Sequence, residues 1–132
     1  MRCLLIIALA AAAVAVLPAA DAGAACGGVH FVPAKKKPKR GRPPLAIGDS
    51  TMLLAMPDLS RAGYNVDAHG CRGMEEGLAI LRRRRAAHRL PYLSVIALGT
   101  DFTISRSQIR RALHYIGPNR RLGRSHQNSP DR

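Results

Sequence analysis

A chain of 132 residues, 47% apolar and without tryptophan, has material for one modest domain and excludes a second of comparable size. Its formal net charge of +13 predicts attraction to polyanions such as nucleic acid, anionic lipid headgroups or acidic cell-wall polymers. Charge alone does not choose among these partners.

The chain opens with the three-part pattern of a secretory signal. Met1-Arg2 is a short positive region, Leu4 to Leu17 is an apolar run, and Ala22-Gly23-Ala24 is a small-x-small cleavage site behind Pro18. The run is shorter than the ~20 residues a membrane-spanning helix needs, so residues 1–24 are expected to be removed, leaving no transmembrane helix. The expected location is secreted, or in the periplasm or cell envelope. A lipoprotein signal, with Cys26 as the lipidated residue, is the alternative, although Gly23 stands where such signals usually carry leucine. Of the three cysteines Cys3 leaves with the signal. The remaining pair, Cys26 and Cys71, is expected to form a disulfide in an oxidising compartment.

Residues 25–44 read as a linker. From Val32 to Pro44 prolines alternate with Lys35, Lys36, Lys37, Lys39, Arg40 and Arg42, and like charges with prolines forbid a packed element. These six cations are the expected polyanion contacts, for instance with an anionic cell-wall polymer. Lys39-Arg40-Gly41-Arg42-Pro43 also resembles the AT-hook, whose Arg-Gly-Arg-Pro core lies in the minor groove of A·T-rich DNA. An export signal ahead of it argues for a solvated or wall-touching linker instead.

From Leu45 the chain alternates. Leu45–Gly48 reads as a buried strand ending in Gly48-Asp49-Ser50, and Thr51–Ala62 as a helix that Pro57 kinks or divides and Gly63 closes. Asp49 or Ser50 is suited to cap that helix. Tyr64–Ala68 reads as a second strand. Met74–His88 reads as a helix, with Met74, Leu78 and Leu81 at helical spacing, Glu75 and Glu76 in its first turn, and the solvated run Arg82–Arg85 near its end. Leu93–Gly99 is the most strand-like run in the chain. Ser105 with Gln108 forms a capping box for a helix that runs through Ile116 and stops at Gly117-Pro118. Strands alternating with helices over residues 45–118 imply an α/β fold with a parallel sheet.

The order Gly48-Asp49-Ser50, Gly70-Cys71-Arg72 and Gly99-Thr100-Asp101 after three successive strands resembles the SGNH, or GDSL, hydrolase family, in its secreted acyl-esterase and acyltransferase flavour. The resemblance covers about Leu45 to Gly117 and implies a three-layer α/β/α domain of SGNH or flavodoxin-like type. It implies Ser50 as nucleophile and an oxyanion hole from the N–H groups of Ser50 and Gly70, with the position of Asp101 as third donor. The implied substrate is an acylated carbohydrate or small ester, with no cofactor and no metal. Two departures stand out. Asp101 occupies the place of the family's asparagine, and an ionised carboxylate cannot donate to an oxyanion. The family's Asp-x-x-His block, which supplies the base, is absent.

The composition shifts near Leu122, where a fourth strand is due, and residues 119–132 read as a polar disordered tail. The expectation is a domain truncated or shifted in frame at its C-terminus, and an esterase impaired as written. The catalytic base is left unassigned. His69 lies beside the second block, whereas His88, His114 and His126 read as surface residues, and no spacing among them suggests a metal. Phosphate-loop and dinucleotide fingerprints are absent. The rival reading is a non-catalytic basic exported protein that binds anionic polymers through Lys35–Arg42 and Arg82–Arg85.

Overall fold

A computed structural model describes residues 26–100 and 103–124. Five strands and three helices alternate in it: β1 (Val29–Val32), β2 (Leu45–Gly48), α1 (Ser50–Arg61), β3 (Asn65–His69), α2 (Met74–Ala86), β4 (Leu93–Ala97), α3 (Arg106–Ile116) and β5 (Arg121–Arg124). The sheet order is β1-β3-β2-β4-β5. β2 pairs in parallel with β3 and β4, β4 in parallel with β5, and β1 runs antiparallel along β3. This is a mixed α/β fold on a mostly parallel sheet.

β2 is buried along its whole length, which is why an unbroken apolar run sits there. Its residues alternate between two cores. Leu45 and Ile47 pack with Leu78 and Leu81 of α2, Ile96 of β4 and Ile116 of α3. Ala46 faces the other way, to Met52 and Met56 of α1 and Val66 and Ala68 of β3. So α1 covers one face, and α2 and α3 cover the other. The chain leaves β2 toward β3 over one face, then passes back to β4 over the other. Reversing both direction and face keeps one hand of crossover, as twisted strands require.

Local signals explain the helix ends. The Ser105 hydroxyl accepts from Gln108 N at 3.2 Å, and the Gln108 side chain accepts from Ser105 N at 2.9 Å, closing the capping box. α1 stays one helix through Pro57, neither divided nor ended there, and Gly63 turns the chain behind it at φ 98°. Glu75 does more than meet the dipole of α2. It takes hydrogen bonds from Arg111 and Gln108 of α3, and Arg111, then Gln108, hold its carboxyl below the usual range.

Three expectations change. Residues 25–44 are not all linker, because Val29–Val32 forms β1, with Val29 opposite His69 and Val32 opposite Val66. The next residues are pinned too. Ser60 Oγ donates to Pro33 O at 2.7 Å, and Lys35 N donates to Ser60 O at 2.9 Å. Nor is 119–132 a tail from its start. Residues 121–124 are β5, in register with Leu93–Ile96, and Leu122 packs against the larger core. An edge strand covered on one face needs few apolar residues, so neither β1 nor β5 announced itself. Lastly, Arg82–Arg85 is not a uniformly solvated run. Arg84 is half-buried, and Arg85 donates to the carbonyls of His114 and Tyr115 in α3. Residues 1–24, Asp101 and His126 lie outside the described residues. Among the described residues no helix is long and apolar enough to cross a membrane.

Candidate active site at the carboxyl end of the sheet

The carboxyl ends of β2 and β4 lie side by side where the chain changes direction, the place in an open α/β sheet where a crevice forms. Gly48 ends β2. A Cβ there would lie 2.4 Å from the Met52 Cβ, so glycine lets α1 start directly at the strand end.

Asp49 follows, 1% exposed, and caps α1. One carboxylate oxygen accepts from Thr51 N at 3.1 Å and Thr51 Oγ1 at 2.7 Å. The other accepts from Thr100 N at 3.2 Å and Thr100 Oγ1 at 2.7 Å. Asp49 N also donates to Ala97 O at 3.2 Å. One buried carboxylate thus ties the turn after β2 to the turn after β4. Burial works to raise its pKa, but the hydrogen bonds from Thr100 and Thr51 outweigh burial and hold it below the ordinary value.

With Asp49 as the cap, Ser50 is free of that duty. It is the first residue of α1, exposed, and its hydroxyl has no hydrogen-bond partner among the described residues. The first turn of a helix carries backbone N–H groups and a positive dipole end, an environment that favours developing negative charge.

The second block sits beside it. Cys26 and Cys71 are joined by a disulfide, with Cα atoms 5.2 Å apart, and the N-terminal arm lies so close that a Cβ on Gly70 would fall 1.7 Å from Cys26 O. Gly70 therefore admits the bridged arm, whatever else its N–H does. Cys71 takes the left-handed conformation at φ 57°. Arg72 is 3% exposed and reaches under the end of β2. Its guanidinium donates to Gly48 O at 3.3 Å and to Asp67 Oδ1 at 2.8 Å. The sequence singled out neither Arg72 nor Thr100 as a support of the turn. Their partners lie 24 and 51 residues away, and no local pattern reports such a contact.

The expected residues are thus partly assembled. Ser50, Gly48 and the third turn, through Thr100, come together, and Gly70 lies on the turn that carries Arg72. His69 makes no hydrogen bond to Ser50 among the described residues. Its Nδ1 lies 3.5 Å from Glu76 Oε2, its ring partner among the described residues. His88, in the turn after α2, and His114, on α3, are exposed. Among the described residues no group of three or more His, Cys, Asp and Glu could hold a metal. The expected polyanion contacts Lys35, Lys36, Lys37, Lys39, Arg40 and Arg42 are all exposed, and Arg42 also lines a groove at the opposite end of the sheet with Arg83, Arg84 and Arg89.

Comparison with known proteins brings no matching family model and no significantly similar curated protein or solved structure.

Proposed function

We propose that this chain is an SGNH-type serine esterase or acyl-transfer domain of three-layer α/β/α form, exported, and acting on an acylated carbohydrate or small ester. The observation that carries the reading is Ser50, an exposed hydroxyl on the first turn of α1 with no partner among the described residues, beside a turn fixed by Asp49 and Thr100. The strand order, and helices on both faces of the sheet, support the layered fold. The disulfide supports an oxidising compartment.

In this reading Ser50 Oγ bonds to the acyl carbon and the carbonyl electrons move onto its oxygen. The N–H groups of Ser50 and Gly70 steady that oxyanion. As the tetrahedral species collapses, the bond to the alcohol breaks and the leaving alkoxide takes a proton from water. Water, or an acceptor alcohol, then releases the acyl group. Among the described residues no histidine is bonded to Ser50, so in this reading the hydroxyl proton goes to solvent base. A positioned base is worth ~10²–10⁴ in rate, and one oxyanion donor ~10²–10³.

The test is hydrolysis of p-nitrophenyl acetate by the full chain and by Ser50→Ala. The expected result is slow, Ser50-dependent turnover that rises with pH through the alkaline range, without the plateau near neutrality that a histidine base gives. Equal turnover by Ser50→Ala removes the proposal.

A further inference from the structure

At the amino end of the sheet, α2, β1 and the residues before β2 enclose a groove of about 570 Å³. That is within the range of small-ligand sites, roughly 300–1,000 Å³. Arg42, Arg83, Arg84 and Arg89 line it together with Phe31 and Ile80. The Arg84 guanidinium lies 5.8 Å from the centre of the Phe31 ring. Phe31 is 51% exposed, so an aromatic face stands open beside the charge.

The charge here is unbalanced. Among the described residues none of these four arginines forms an ion pair. Asp67 also lines the groove, but its carboxylate is already held by Arg72 at 2.8 Å. Burial pulls the Arg84 pKa down, Asp67 partly restores it, and the neighbouring charges of Arg89 and Arg83 pull it down again. The carboxyl end of α2 points the same way and opposes an anion with about half a charge, which four guanidiniums outweigh.

We propose that this groove binds a small phosphate monoester, with the phosphate held by Arg84 and Arg89, flanked by Arg83 and Arg42, and an apolar or aromatic body laid on Phe31. A phosphate near pH 7 carries close to two charges and three strong acceptor oxygens, so it engages more than one guanidinium fork. A carboxylate carries a single charge and two acceptor oxygens, so it gains less than a phosphate does from a second guanidinium. The site is separate from Ser50 and does not depend on its being a nucleophile.

The experiment is titration of the full-length chain with phenyl phosphate, inorganic phosphate and benzoate, followed by calorimetry. Phenyl phosphate is expected to bind about tenfold more tightly than benzoate. Arg84→Ala/Arg89→Ala is expected to weaken it by about tenfold or more, and Phe31→Ala to weaken phenyl phosphate while sparing inorganic phosphate. Arg84→Lys/Arg89→Lys keeps the charge and removes the forks, and is expected to lose several-fold, so it serves if the alanine pair does not fold. Ser50→Ala is expected to bind as the parent does. No binding at about 10 mM phenyl phosphate, or equal affinity for benzoate, overturns the proposal. So does a loss seen in Lys35→Ala/Lys36→Ala/Lys37→Ala/Lys39→Ala but not in the arginine variants.

Discussion

At the carboxyl end of the sheet, Asp49 accepts four hydrogen bonds and the Arg72 guanidinium meets both Asp67 and the Gly48 carbonyl. At the amino end, Arg84 lies half-buried near Arg83 and Arg89 beside an aromatic ring, and among the described residues it forms no ion pair. In the first region the Asp49 carboxylate is fully bonded and the Arg72 fork is held, although Arg72 Nε makes no hydrogen bond among the described residues, and one neutral hydroxyl, Ser50, is exposed. The second leaves like charges crowded together. The difference teaches where each end is stable and where it is reactive. Satisfied polar groups hold a turn rigid for chemistry, and unsatisfied ones mark a place where an outside anion relieves repulsion.

Breaking the bridge that closes the carboxyl end gives the largest effect. The Cys26–Cys71 bond spans 45 residues, and in the chain-entropy model Cys26→Ala/Cys71→Ala costs about 4 kcal/mol. Urea unfolding with and without reductant reads this. An unchanged midpoint contradicts it.

Asp49→Ala comes next, at about 2–4 kcal/mol, because two backbone N–H groups and two hydroxyls lose a buried acceptor. The pH dependence has a definite sign. A folded pKa below the ordinary value of 3.8 means Asp49 contributes fully above that value, and the contribution is lost as pH falls through the folded pKa. The stability gap between the parent and Asp49→Asn is therefore expected to shrink below about pH 4. A gap that is flat with pH shows the carboxylate is not the stabilising form.

The amino end responds in the opposite sense. Arg84→Met removes a crowded, half-buried charge and keeps the apolar stem, so thermal stability is expected to hold or rise, by about 0.5–1 kcal/mol. A large loss of stability shows that Arg84 already has a stabilising partner. The smallest effect belongs to Glu75→Gln, which weakens an exposed contact with Arg111. Its effect on melting is expected to be slight and to vanish in high salt.

Much of this architecture was legible in the sequence because its signals are local. A continuous apolar run marks β2, a β-branched run marks β4, and Ser105 with Gln108 marks the start of α3. β1 and β5 were not legible. Val29–Val32 leads into prolines and lysines, and Arg121–Arg124 carries one apolar residue, yet each needs cover on one face alone. The exposure of Ser50 at a strand end followed from Gly48-Asp49-Ser50 itself. What fixes that turn did not, since Thr100 is 51 residues from Asp49. The arginine groove was hidden for a related reason. Arg42 and Arg84 belong to separate charged runs, each of which reads as solvated until the sheet brings them together.

The reading of Ser50 is tested most directly by incubating the full chain and Ser50→Ala with a fluorophosphonate and measuring intact mass. The expected result is a single slow adduct on the parent, located at Ser50 by peptide mapping, and none on Ser50→Ala. Equal labelling of both proteins, or no adduct on the parent after prolonged incubation, contradicts a nucleophilic role for Ser50.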